Sequence, residues 1–370
     1  MTKPSNYEIH AWRRLQRVRS RPVSRVMKQA SGQVADGAEG LGRRAAKYLG
    51  DRPGAKAAVS RGQELFGRGA EALRAGARKT AGSVPEAVAD WGGSAVDSVN
   101  RVLARAGRAE LNPRWVLEAH RKRGHEVSSL ADLRRLDLAQ IDAVRGRGVN
   151  LYYPIAAAVS GMGAGLVMSG GALFAAATGT AAVPAGGNVP GAEGDAAVLL
   201  KLAQRSAGHV GLFYGYDPDE PAEKLFILAV VNAGTALSAS AKTAAVADVS
   251  RLTQALVRRT AWADLQAPVV DRVSAEFTKA FAMRISRQSR GKVVPAAGIL
   301  VGGGFNWATL ESVVDAADAA YRRRFLLEKY PQFGAEDAPG VVIDPEADED
   351  ADEAISVLAE LARVGGPELT

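Results

Sequence analysis

The sequence predicts an all-α protein. The expected fold is a helical bundle with glycine-rich, small-residue-packed helical hairpins, basic amphipathic N-terminal helices and an acidic disordered C-terminal tail. Three observations lead there. Alanine dominates an apolar content of 47%, while aromatics make up only 6% of the 370 residues. Alanine favours helix and lets helices approach closely, although each one buries little surface. Runs of alternating Val, Ile, Thr and aromatic residues between turns, the mark of strands, are nearly absent. Finally, charge is graded along the chain. Residues 1–150 carry 29 basic and 15 acidic side chains, residues 151–330 carry 17 and 14, and residues 331–370 carry 1 and 11.

This gradient suggests three regions: a basic Ala/Gly/Arg-rich helical region over 1–110, a helical core over 111–333, and an acidic tail over 334–370. In the first, Ile9, Trp12, Leu15 and Val18 recur every three residues, with Arg13, Arg14, Arg17 and Arg19 on the other side. Arg13, Arg14, Arg17 and Trp12 are therefore the expected contacts with an anionic membrane surface. Beyond Pro22 the stripes become thin and glycine lowers helix propensity. Asn112 followed by Pro113 reads as an N-cap and first helical residue, and that helix should end at Gly124. Ser128 or Ser129 then caps a second helix, with Leu130, Leu133, Leu136, Leu138, Ile141 and Val144 as its apolar set.

Two stretches without charge follow, residues 148–192 and 293–310. The first is long enough to span a membrane, for which about 20 apolar residues suffice. Its composition argues otherwise. Between Ile155 and Leu173 only Ile155, Val159, Leu166, Val167 and Leu173 favour lipid strongly, together worth about −2 kcal/mol. The small residues have a geometric use instead. Ala157, Gly161, Gly165 and Ser169 lie at four-residue spacing, and Gly298 and Gly302 repeat it ahead of Asn306; such faces let helix backbones touch, in lipid or in protein. The flanks suit an interface, with Tyr152, Tyr153, Arg145 and Arg147 beside the first stretch and Arg322, Arg323 and Arg324 after the second. Glycine-faced hairpins in a bundle core, touching the membrane, are favoured over true spanning.

Between the stretches, a helix ends near Gly208 or Gly211. The turn "YGYDPDEP" follows, with Tyr214, Gly215 and Asp217, and Asp217 and Asp219 are expected to cap the next helix. The last helix runs through "ESVVDAADAAYRRRFLLEKY", and one short helix is expected in the tail around Ala354–Leu361.

Little chemistry is legible. There are no cysteines, which excludes disulfides and thiolate metal sites. The sequence holds no G-x-S-x-G, no G-x-x-x-x-G-K-[ST] and no H-E-x-x-H, and "GMGAG" lacks the glycine spacing of a phosphate loop. His120 and His125 sit among Arg and Lys, a poor place for a cation, and read as surface residues. No cofactor, metal ligand or catalytic residue is assigned. The candidate polar site is Asn306, Glu311, Asp315, Asp318, Tyr321 and Arg324, an amide on an apolar helix followed by a carboxylate-rich face. It could hold an ion or headgroup; the simpler expectation is a buried network fixing helix register.

The strings "NYEIHAW", "AHRKRGHEVSSLADLRRLDLAQID", "GLFYGYDPDEPAEKLFILAVV" and "VPAAGILVGGGFNWATLESVVDAADAAYRRRFL" occur in this order. With Pro295, Gly298, Gly302 and Asn306 leading to Ala317, Tyr321 and Arg324, they make the chain resemble the EcsC family of bacterial proteins. The resemblance covers Asn6–Phe333, with Gln33–Arg108 matching only in general character. It implies a protein linked to ABC transporters, regulating or assisting transport, and it brings no catalytic residues. The expectation is a non-catalytic accessory protein on the cytoplasmic side of the inner membrane, peripheral or shallowly inserted, with an anionic membrane surface and ABC transporter subunits as partners. A soluble enzyme using Asn306–Arg324 is one alternative. A nucleic-acid binder using the basic front half is another, although interleaved aromatics are few and no binding module is recognisable.

Overall fold

A computed structural model of the chain describes residues 3–17, 111–146, 190–236, 238–258, 265–290, 298–335 and 355–367, with the single positions 150, 153, 154 and 157. Every regular element among them is helical. In order they are α1 (Asn6–Arg17), α2 (Pro113–Arg121), α3 (Leu130–Leu133), α4 (Leu138–Arg145) and α5 (Pro190–Phe213). Then come α6 (Pro221–Thr235), α7 (Ala239–Arg258), α8 (Ala267–Arg290), α9 (Gly298–Lys329), a 3-10 turn (Pro331–Ala335) and α10 (Val357–Arg363).

Two helices form the centre. α6 is buried from Leu225 to Thr235, apolar on every side, which only a helix surrounded by others can be. α9 runs along α6 and α5 and also meets α7 and α1; α8 packs on α5 and α6. Small-residue packing does occur at this centre. A Cβ added to Gly234 of α6 would lie 2.6 Å from Cα of Val313 on α9, so the two backbones approach as only glycine permits.

Several expectations change. The single helix expected after Ser129 is two, because Asp137 accepts a hydrogen bond from the Ala139 N–H and closes a capping box with Gln140. Ser129 caps the first of them with Asp132, and Asn112 caps α2 as anticipated. α5 continues past Gly208 and Gly211 to Phe213. The described part of the second uncharged stretch runs from Gly298, through Gly302, without a break into the 32-residue α9. Of the first small-residue series Ala157 is fully buried, while Gly161, Gly165 and Ser169 lie outside the described residues. Among the described residues no helix is long and apolar enough to cross a membrane. The tail is not wholly solvated, since α10 buries Val357 and Leu361 against α8, α6 and α7.

Trp12 also turns out differently. It is 2% exposed and stacks on Phe333 with ring centroids 4.9 Å apart, so it is core and not a lipid contact. Arg13 and Arg14 are exposed on the opposite face of α1, and the side chain of Arg17 lies outside the described residues.

Candidate functional site

The turn after α5 sets the geometry. The Tyr216 N–H returns to the Gly211 carbonyl (3.0 Å), and Gly215 takes φ 85°. A Cβ there would also lie 2.4 Å from the Leu130 carbonyl oxygen, so both backbone conformation and space require glycine. Asp217 accepts from the Asp219 N–H (3.0 Å), closing its own turn instead of capping α6. The α6 N-cap position is Glu220, without a side-chain cap bond, and Pro221 follows as the first helical residue.

This turn sends Tyr214 and Tyr216 to Tyr321 of α9, with ring centroids 6.5 and 5.5 Å away. Gly211 leaves room for the Tyr321 ring, which a Cβ would meet at 2.7 Å. Two polar networks grow from these tyrosines. In the first, Arg324 pairs with Glu223 of α6, also reaches Glu328 (2.9 Å) and lies over the Tyr216 ring at 4.0 Å. The Tyr321 hydroxyl donates to Glu223 (3.3 Å). Burial pushes the Glu223 carboxyl up, while the Arg324 charge and hydrogen bond pull it back.

In the second network Asp318 accepts from the Tyr214 hydroxyl (2.8 Å) and from Arg145 (2.8 Å), and lies 3.5 Å from Arg322. Arg322 also bonds Asp142 of α4 (2.8 Å), which accepts from the Tyr7 hydroxyl of α1 (2.5 Å). Burial raises the Asp142 carboxyl against the opposing charge of Arg322. Arg145, Arg322 and Arg324, expected to flank lipid, instead point inward with side chains 7%, 15% and 6% exposed. Each has a carboxylate at hydrogen-bonding distance in a protein that has buried it.

The rest of the candidate set is not drawn into these networks. Asn306 lies twelve residues before Asp318, about 18 Å along the helix. It is 2% exposed, and its Nδ2 has no partner among the described residues. Glu311 is exposed and accepts from Trp307 Nε1 (3.3 Å). Asp315 is exposed on one side, yet its carboxyl rises to about 6 because neighbouring groups strip water from it and Glu311 and Asp318 repel its charge. Opposite it Lys242 of α7 is 6% exposed and, for want of solvent, falls to about 8.

His120 corrects another expectation: it is fully buried. Its Nδ1 lies 3.0 Å from Nδ1 of His125, its Nε2 has no partner among the described residues, and burial followed by the charge of His125 lowers it to about 4. Among the described residues no group of three or more His, Cys, Asp or Glu is placed to hold a metal ion. Sequence reading had missed Glu223, Asp142, Glu8, Lys329 and Tyr330. Glu8 is fully buried and takes Lys329 (2.7 Å), the Tyr330 hydroxyl (2.7 Å) and the Leu138 N–H (3.3 Å). A carboxylate heading an apolar run, as Glu223 does in "PAEKLFILAVV", was the available signal.

The model of the EcsC protein family matches residues 70–326, more than half of the chain. No curated protein and no solved structure matches it. The chain belongs to the EcsC protein family.

Proposed function

Starting from this membership, we propose that the chain is a non-catalytic accessory or regulatory protein, attached peripherally to the cytoplasmic face of the inner membrane and linked to an ABC transporter. The observation that carries the non-catalytic reading is the use made of the candidate residues. Asp318, Tyr321, Arg324 and Tyr214 spend their polar groups on each other and on Glu223, Arg145 and Arg322, tying α4, α5, α6 and α9 together. Groups so paired hold helix register and leave little for a substrate. Attachment is supported by the charge of residues 1–150 and by the exposed Arg13 and Arg14 on α1, whose apolar face is already docked. Shallow attachment by charge needs no spanning helix.

Sedimentation of the full chain with lipid vesicles tests this. Binding should require anionic lipid, fall steeply between low and moderate salt, and weaken when Arg13 and Arg14 are replaced by Gln. Binding to neutral vesicles alone, or none at all, would overturn the peripheral reading.

A second reading, an enzyme or ligand-binding protein, has one observation behind it: Asn306, Asp315 and Lys242 are perturbed without being paired as Arg324 is. A small molecule that raises the melting temperature of the wild type, but not of Asn306→Ala or Asp315→Asn, would move it to the front.

A further inference from the structure

Residues 336–354, which separate the 3-10 turn from α10, are acidic and contain Pro339, Gly340 and Pro345. α10 lies outside the family match, yet it docks on α8, α6 and α7. Its apolar contact is small, with Val357 and Leu361 buried and Ile355, Leu358 and Val364 partly so. The polar contact is more specific. Asp248 of α7, 4% exposed, accepts from the Ser356 hydroxyl (2.8 Å) and, at 3.5 Å, from the Leu358 N–H. Asn232 of α6 donates to the Ile355 carbonyl (2.6 Å), and Ser356 Oγ accepts from the Ala359 N–H (3.1 Å). Arg363 reaches Glu276 only at 3.6 Å and on the surface.

A helix of seven residues has too few internal hydrogen bonds to persist alone. Its order comes from the groove, and the groove recognises it through the backbone at its start. Two buried side chains set against a whole segment to be ordered leave the closed state with a small margin. α6 packs far more on α9 than on α10.

We propose that α10 is a latch that opens and closes over the groove formed by α6, α7 and α8 as one unit, with Asp248 as its catch, while the bundle stays folded. Opening uncovers Asp248 and the Asn232 amide, a pair suited to receive the start of a short helix with a serine-type cap and apolar side chains one turn apart.

Hydrogen exchange on the full chain tests it. In the wild type the amides of residues 357–364 should exchange well before those of α6 and α9. Asp248→Ala should speed α10 exchange about tenfold and Ser356→Ala by a similar or smaller factor, the usual effect of a lost cap. Leu361→Asp should abolish α10 protection and leave α6 and α9 unchanged. Because Leu361 lies on the latch itself, that variant decides even if Asp248→Ala fails to fold. Exchange of α10 in step with α6 and α9, or joint loss of protection in Leu361→Asp, would overturn the proposal and make α10 an integral part of the core.

Discussion

Removing the guanidinium of Arg324 leaves the Glu223 carboxylate, 2% exposed, without its counter-charge. Breaking a buried pair from one side costs about 3–5 kcal/mol, so Arg324→Ala should lower unfolding free energy by that amount in urea titrations. The double variant Glu223→Gln/Arg324→Met should recover much of it. Gly215→Ala meets a carbonyl oxygen at a positive φ and should cost about 2 kcal/mol or more. His120 titrates the other way. Its folded-state value of about 4 lies below the ordinary 6.5, so the stability it contributes is complete above pH 6.5 and is lost as pH falls toward 4. His120→Leu should flatten the stability profile in that window, with His209, also lowered to about 4 by burial, leaving a residual slope. Asp315, raised to about 6, contributes stability below its unfolded value that is lost as pH rises through 6. Asp315→Asn should therefore stabilise at pH 8, by about 1 kcal/mol given its solvent-facing side.

α1 illustrates what an element requires beyond its own pattern. Its periodicity was readable, but the role of Glu8 was not: the partners Lys329 and Tyr330 lie 321 and 322 residues away, and no local spacing identifies them. Glu8 is held below the ordinary carboxylate range because these hydrogen bonds outweigh the cost of its burial. Its contribution is thus present above pH 4.5 and lost on acidification. Glu8→Gln should loosen α1 selectively, seen as faster exchange of residues 8–15 while α6 stays protected. The local caps at Asn112 and Ser129 were legible. The break at Asp137 was local too, but its leucines continued the apolar pattern and hid it. Trp12 was assigned to a membrane surface because arginines neighbour its apolar stripe, and His120 to the protein surface because arginine and lysine surround it. In the folded chain Arg13, Arg14, Arg121, Lys122 and Arg123 are exposed and both rings are buried. Of the candidate site, Asp318, Tyr321 and Arg324 were legible from one helix, and their partners on α4 and α6 were not.

For the molecule as a whole, the inward-turned arginines change where a membrane could meet it. Arg145, Arg322 and Arg324, beside the uncharged stretches, are engaged in ion pairs, so the proposed attachment rests on other cations, of which Arg13 and Arg14 of α1 are exposed. Washing the membranes of cells that produce the full chain, first with high salt, then with alkaline carbonate, then with detergent, tests peripheral attachment most directly. Release by salt is the predicted result. Release only by detergent would contradict it and mean that part of the chain is embedded in lipid; a protein that never enters the membrane fraction would contradict attachment altogether.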